Sequence, residues 1–380
     1  MAQRRHFGHL QRERSGRYRA SFIDPYTRKR VYGPTTFATK ADANQWLSTV
    51  QTDVARGDHL DPAGNDISFE AFAKAWLADK QALRPTTVEL YSYLLNSHLL
   101  PTFGSLPLAR IDTTLVRRWH AATLAGHLSQ PTVAKSYRLL RQILEAAIDD
   151  HLLRQNPCRL KGAATEKTIE RAIPTLTQVH SLADAIDPRY RAMVWLGALG
   201  GLRKGECLGL ARRHIRALDD VATVTVERAL IDTDAHGLIL QEPKTAAGHR
   251  TITLPRLAAE HIRDHLERYV EPGTDALLFT AKHDGGFVSD TVWRLIWHRA
   301  RQAADVNCTF HDLRHFAGTM NAAAGATTKE AMARLGHASP EASLRYQHVI
   351  QGRDAAIANA VDELIRQRDT NGAAPNAAGP

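Results

Sequence analysis

The sequence predicts a multidomain, mainly α-helical chain with small β elements. Three observations carry that expectation. Apolar side chains recur at the helical 3.6-residue period through most of the chain, period-two alternation is confined to two short regions, and polar stretches with neither pattern separate the blocks. With 380 residues, 43% of them hydrophobic, there is material for two or three domains of roughly 100 to 200 residues, each with a buried core.

Residues 1–60 hold eleven Lys and Arg against five Asp and Glu. Within them, GRYRASFIDPYTRKRVYG alternates apolar and basic side chains around a turn at Asp24, Pro25 and Tyr26, the pattern of a small hairpin with a basic face. A helix follows, with Thr39 and Asp42 as a capping-box-like start, Trp46, Leu47 and Val50 as its apolar stripe and Gly57 as its stop. Residues 66–160 read as helical throughout. Phe69, Phe72, Ala73 and Trp76 share one helix, Val88, Tyr91, Leu94 and Leu95 the next, and Val133, Tyr137, Leu140 and Leu144 another, which together predict a bundle of about 90 residues. KGAATEKTIERA (161–172) lacks periodicity and reads as an interdomain linker.

The last large block, 173–350, mixes helices with a β-rich insert. There VATVTVERAL, LILQEPKT and HRTITLP predict strands joined by the turns DTDAHG and AAG. Residues 351–380 hold an amphipathic segment, RDAAIANAVDELIRQR (353–368), and a small-residue tail expected to be disordered. No internal repeat is evident.

Composition narrows the function. The net charge of +9 and a pI near 9.6 suggest a polyanionic partner such as nucleic acid or an anionic membrane surface. The longest apolar run, Ala192 to Leu202, is too short for a bilayer, and the basic start MAQRRHFGHLQRER has no apolar stretch behind it. The expectation is a soluble protein kept in the cytoplasm, associated with the nucleoid and with no membrane partner. Cys158, Cys207 and Cys308 are widely spaced, odd in number and without a CxxC pair, so buried free thiols are expected rather than disulfides or a zinc ribbon.

The chemistry-bearing residues concentrate in the last block. TFHDLRHFAGTMNAAAGA predicts one helix over 311–323, with Thr309 as cap and Gly325 as stop. On it His311, Arg314, His315 and Gly318 share one face, and Leu313, Phe316, Ala317 and Met320 another. Such a helix presents cations to something negative, although a solvated basic face over a core is the blander reading. The next helix begins with a Thr327–Glu330 capping box and stops at Gly336, leaving His337 on the exit turn. Ser339 and Pro340 fit the start of a further short helix carrying Tyr346, where a tyrosine is by default a core residue with its hydroxyl at the surface. Upstream, GALGGLRKGECLGL places a Gly200–Gly201 turn before a helix with Arg203 and Glu206 in or near its first turn. Alone, that pair is an ordinary surface ion pair. Lys204 is not a P-loop lysine, since no Ser or Thr follows it. QEPKTAAGHR reads as a hairpin with Lys244 near its tip, bland by itself because exposed lysine is common at sheet edges.

In combination, GGLRKGE, Lys244, HDLRH, LGH and LRYQH, in this order over 173–350, resemble the tyrosine recombinase (phage integrase) family. The helical bundle resembles that family's core-site-binding domain. The basic module resembles the arm-site-binding domain of integrases from phages and integrative elements. Two departures are visible: Gly200 where many relatives have a hydroxyl residue, and Phe316 where many have Thr or Ser.

The resemblance implies an α+β catalytic domain and a site-specific recombinase that integrates or excises a mobile element. It identifies Tyr346 as the nucleophile, which attacks a scissile phosphate to give a 3′-phosphotyrosyl enzyme and a free 5′-hydroxyl, and Lys244 as the acid for the leaving oxygen. Phosphoryl transfer concentrates charge on the non-bridging oxygens, which suits the guanidinium forks of Arg203 and Arg314. His311 and His337 add hydrogen bonds, one of them able to take the phenolic proton. Glu206 is expected to orient Arg203 or its basic neighbours, and His315 to support the second box. No cofactor, metal or ATP is required on this scheme, because the covalent intermediate conserves the bond energy. The implied partners are double-stranded DNA at core and arm sites, three further copies of the chain in a synaptic homotetramer, and an excisionase or DNA-bending accessory protein. The amphipathic segment at 353–368 is expected to dock on a neighbouring protomer or on its own domain.

Other readings stay open on the sequence. A type IB topoisomerase-like enzyme or a Xer-like dimer resolvase shares much of this chemistry, and a non-catalytic DNA-binding protein shares the charge. A metal-dependent hydrolase is suggested by the HxxxH spacing of His311 and His315, against which stand Asp312 in place of the HExxH glutamate and the lack of an evident third ligand.

Overall fold

The computed structural model describes residues 7–25, 27–56, 66–80, 82–126, 128–166, 172–218, 221–243, 245–283, 285–337, 339–340, 358–359, 361–363 and 365–366. The chain divides into two compact units, Met1–Ile169 and Glu170–Pro380, and the architecture is mainly helical and multidomain with small sheets. Among the described residues no helix is long and apolar enough to cross a membrane.

The first unit begins with an antiparallel sheet of β1 (His9–Arg12), β2 (Tyr18–Ile23) and β3 (Arg30–Tyr32) in that order. The expected hairpin is β2 and β3, paired with Ser21 opposite Tyr32. The expectation of a hairpin alone falls short, because β1 adds a third strand with His9 opposite Ser21. HLQR carries one apolar residue among polar ones, so it has no alternation to detect and becomes a strand by pairing along β2. Helix α1 (Lys40–Arg56), whose Asp42 amide donates to Thr39 Oγ1 at 3.1 Å, covers one sheet face and buries Ala43 and Leu47 with Ala20 and Phe22.

The helical part of this unit comprises α2 (Phe69–Ala78), α3 (Pro85–Leu94), a π-helical turn at Leu95–Leu99, α4 (Leu100–Phe103), α5 (Thr113–Ala125) and α6 (Gln130–Asp149). Ser68, Asp112 and Ser129 cap α2, α5 and α6 with side-chain acceptors, each satisfying an otherwise orphaned amide. Phe69, Phe103, Trp119, Tyr137, Leu140 and Leu144 lie in one core. The predicted linker starts too early. Ala163 is buried and Arg138 Nη1 of α6 donates to the Ala164 carbonyl at 2.8 Å, so Ala163 and Ala164 belong to the core of the first unit.

The second unit comprises α7 (Leu176–Ala185), α8 (Arg191–Ala198), α9 (Lys204–Leu208), strands β4 (Ile215–Leu218), β5 (Val221–Val226), β6 (Ala229–Thr233), β7 (Gly237–Gln241) and β8 (Arg250–Leu254), then α10 (Arg256–Tyr269), α11 (Asp290–Ala304), α12 (Phe310–Ala323) and α13 (Thr328–Leu335). The β region departs from expectation in two ways. VATVTVERAL is two strands: β5 pairs with β4 and β8, whereas β6 pairs with β7 in a separate hairpin. Arg228 Nε donates to the Gly209 carbonyl at 2.8 Å, which anchors the chain where it leaves one sheet for the other. QEPKTAAGHR is therefore not a hairpin but a connection between sheets, with a 3-10 turn at Ala246–Gly248.

The core of this unit gathers Met193, Trp195 and Leu196 of α8, Trp293 and Trp297 of α11, and Phe310, Leu313 and Phe316 of α12. Helices α8 and α12 approach closely, since a Cβ on Gly197 would lie 2.9 Å from Phe310 Cζ. Met320, expected on the apolar face of α12, is 42% exposed, and it lies outside the cluster of Ala317, Ala322 and Leu335 that buries the end of α12 on α13. The three cysteines are buried free thiols, and burial is the first reason their pKa values rise, to about 12 for Cys158 and about 11 for Cys308. Of the amphipathic segment at 353–368, residues 358–359, 361–363 and 365–366 are described, with Val361 and Ile365 exposed. The tail lies outside the described residues.

Candidate active site

Gly201 turns the chain between α8 and α9 with φ +67°, a left-handed conformation that suits glycine. Arg203 thereby becomes the N-cap of α9. Three residues on, the carboxylate of Glu206 accepts from the Arg203 amide at 2.8 Å and from its Nη1 at 2.7 Å. The Glu206 side chain is 5% exposed and that of Arg203 43%, so the pair is not an ordinary surface one. A second guanidinium closes on the same carboxylate: Arg250 Nη1 lies 3.1 Å from Oε1 and Nη2 2.8 Å from Oε2. Burial pushes the Glu206 pKa up, but hydrogen bonds and charge from Arg250 and Arg203 outweigh it, and the carboxyl titrates below its ordinary range.

Helix α12 starts where the sequence predicts. Thr309 is its N-cap, and Asp312 Oδ2 accepts from the Thr309 amide at 2.7 Å and from its hydroxyl at 2.8 Å. This fixes the first turn, on which His311 faces outward and Arg314 inward. Arg314 is 1% exposed. Its Nη1 donates to the Gly201 carbonyl at 2.5 Å and its Nη2 to the carbonyl of Leu335, so one side chain joins the glycine turn before Arg203 to the end of α13. That end is another left-handed glycine, Gly336 at φ +64°. It delivers the half-buried His337, whose amide donates to Met332 O at 3.0 Å. The Gly336 carbonyl accepts from Arg203 Nη2 at 3.4 Å.

The rings of His311 and His315 meet edge to face, with centroids 4.8 Å apart. The His311 imidazole is pushed down to about 4, first by desolvation and then by the positive charges of His315, Arg314 and Arg203, with Asp312 opposing. One side of His311 is open to water, so the cationic neighbours, which act whether or not the ring is buried, are the firmer reason for the direction. A neutral imidazole amid guanidinium groups can accept a proton or give one hydrogen bond.

Six of the eight residues singled out from sequence, Arg203, Glu206, His311, Arg314, His315 and His337, are thus brought to one region by α9, α12 and the exit of α13. The other two, Lys244 and Tyr346, lie outside the described residues. Their described neighbours are Thr245, which precedes the Ala246–Gly248 turn, and Ser339 with Pro340, both exposed. Among the described residues no group of three His, Cys, Asp or Glu side chains is disposed to hold a metal ion.

Sequence reasoning missed Arg250. A signal was present: Arg250, Ile252 and Leu254 alternate with Thr251 and Thr253, and the first set faces inward on β8. A guanidinium on the buried side of a strand requires a charged or carbonyl partner, yet nothing local names that partner.

Family models match three parts of the chain. The family model described as "Phage integrase family" matches residues 167–353, the "Phage integrase, N-terminal SAM-like domain" matches 68–123, and the "Phage integrase, N-terminal domain" matches 6–56. A prophage phiRv2 integrase of Mycobacterium tuberculosis is 34% identical over 375 residues, covering 97% of this chain and 98% of the relative. Two solved structures share the fold. The Tn1549 transposon integrase in complex with transposon right end DNA has a TM-score of 0.67 at 18% identity, covering 78% of this chain and 100% of that one. A lambda integrase tetramer bound to a Holliday junction has a TM-score of 0.55 at 16% identity, covering 87% and 96%. On similarity to a prophage integrase over 97% of its length and on three matched family models, the chain belongs to the phage integrase family of site-specific DNA recombinases.

Proposed function

We propose that this recombinase cuts and rejoins double-stranded DNA through a 3′-phosphotyrosyl link to Tyr346, integrating or excising a mobile element. The observation that carries the reading is the convergence of Arg203, Arg314 and His311, two exposed groups able to face one phosphate and a buried cation beneath them, from helices more than 100 positions apart in the chain. Arg203 and His311, the exposed members, bind the non-bridging oxygens as charge develops there. Arg314 supplies positive potential from beneath, with two of its five N–H donors committed to Gly201 and Leu335. His337 completes the donor set, and Glu206 and His315 hold the cations in register.

Tyrosine has a pKa near 10 and is protonated at neutral pH, so its attack needs a base. His311, uncharged at pH 7 before DNA binds, is suited to take that proton, and an anionic phosphate beside it raises its basicity. The displaced 5′-alkoxide is more basic than a phenolate and takes a proton from Lys244. Residues 1–60 serve arm sites, 66–160 core sites and 173–350 the chemistry. Four copies act together on two DNA sites, as the lambda tetramer suggests, and an excisionase or DNA-bending protein supplies direction. The chain works in the cytoplasm on nucleoid DNA.

The test is incubation with nicked suicide DNA carrying candidate attachment sites. Wild type is expected to give a denaturant-resistant protein–DNA adduct with chelator present, and Tyr346→Phe none. An adduct that persists in the mutant overturns the assignment.

A further inference from the structure

Arg250 occupies an inward position of β8, in line with Ile252 and Leu254, and its side chain is only 5% exposed. Its donors leave in three directions. Nη1 and Nη2 take the Glu206 carboxylate at 3.1 and 2.8 Å, Nη1 also reaches the Gly248 carbonyl at 3.2 Å, and Nε donates to the Arg334 carbonyl at 3.0 Å. One planar group thus ties together the first turn of α9, the Ala246–Gly248 turn and the end of α13. The first and last of these segments present Arg203 and His337. The fit is tight: a Cβ on Gly336 would lie 2.8 Å from the Ala247 carbonyl and 3.0 Å from Arg250 Nη1.

A carboxylate held by one arginine can swing with it. Glu206 is held from both sides, so the exposed Arg203 guanidinium is referenced through it to the buried Arg250. The same guanidinium fixes, through Arg334, the turn that carries His337. A lysine at 250 would keep the charge, but a single ammonium lacks the fork that spans three partners.

We propose that Arg250 is a positioning residue for phosphoryl transfer: it sets Arg203 and His337 at a common distance from the non-bridging oxygens, without touching DNA itself. The inference rests on the function proposed above. It predicts a defect specific to the charge on those oxygens, whereas a residue needed only for folding would slow every substrate alike.

The experiment compares Arg250→Ala and Arg250→Lys with wild type on two suicide DNAs, one with the natural scissile phosphate and one with a neutral methylphosphonate in its place, where a methyl group replaces a non-bridging oxygen. In each case DNA affinity, thermal unfolding and the rate of covalent adduct formation are measured. Arg250→Lys is expected to fold and to bind DNA within about threefold of wild type. Its adduct rate should fall at least tenfold on the phosphate and less than threefold on the methylphosphonate. If Arg250→Ala fails to fold, the lysine variant alone decides. Equal losses on both DNAs, or no loss in a folded Arg250→Lys, overturn the inference. Absence of adduct with wild type itself would instead overturn the proposed function, so the two failures are distinct.

Discussion

Arg314 donates from Nη1 to the carbonyl oxygen of Gly201 at 2.5 Å, across 113 positions of sequence. The bond lies in the interior, where an unpaired guanidinium would be costly. It holds the turn before Arg203 against the helix that carries His311. The left-handed backbone of Gly201 is part of this contact, and a Cβ there would lie 2.4 Å from Leu335 Cδ2.

Gly201→Ala should therefore destabilise the fold by about 1–3 kcal/mol, through strain at positive φ and a clash with Leu335. Urea denaturation measures this. Adduct formation should fall further than DNA affinity, because the turn positions Arg203 rather than the binding surface at large. An unchanged denaturation midpoint would contradict the account.

Glu206→Gln removes the charge between two guanidinium groups and should cost about 3–5 kcal/mol at pH 7, the range for breaking a buried pair. The pH dependence has a definite sign. The folded-state pKa of Glu206 lies below its ordinary 4.5, so the stabilisation is complete above that value and is lost as pH falls through the depressed folded pKa. Paired denaturation curves should show wild type and Glu206→Gln converging as pH drops below the ordinary 4.5 and through the depressed folded pKa, and curves that stay parallel would exclude the linkage.

His311 should titrate near 4 in the DNA-free protein, as followed by its ring proton resonances. Because the fold favours the neutral ring, its contribution to stability is present above the ordinary pKa of 6.5 and erodes as pH falls from there towards 4. His315→Ala and Arg203→Ala should each raise the midpoint. A midpoint near 6.5 in wild type would mean that the neighbouring cations do not act on the ring.

Phe310 anchors the first turn of α12, edge to face with Trp293 at 5.4 Å and Trp297 at 5.6 Å. Truncation to alanine should cost about 3–5 kcal/mol. Calorimetry should show a clear drop in Tm, and a drop no larger than that of an exposed control such as Met320→Ala would argue against this packing.

Arg30 lies exposed on β3 opposite Ile23, with Nη1 3.1 Å from Ser21 Oγ. If this sheet face meets DNA phosphates, Arg30→Ala should lower the slope of log affinity against log salt by about 1 for arm-site DNA and leave core-site binding unchanged. Filter-binding titrations over a salt series read both slopes.

How far the sequence reads depends on the range over which each feature is decided. The stripe of Val133, Tyr137, Leu140 and Leu144, the Thr309 and Thr327 caps and the Gly336 stop each lie within one helix, where period and capping chemistry act over four residues or fewer, and the structure follows them. Strand β1 and the division of Val221–Leu230 between two sheets depend on which segment lies alongside, and no local pattern encodes that. Lys244 and Tyr346 were picked out by resemblance and lie outside the described residues.

By itself the sequence determined that Arg203 and Glu206 open one helix, that His311, Arg314 and His315 share another and that His337 follows the glycine stop of a third, because side-chain chemistry, helical period and caps are properties of neighbouring residues. Only the tertiary structure decided that Glu206 is held between Arg203 and Arg250, that Arg314 is buried on the Gly201 and Leu335 carbonyls, and that burial together with its cationic neighbours pushes the His311 pKa down. Those outcomes follow from pairing and desolvation between segments tens to more than a hundred residues apart, which act only once the chain has closed on itself.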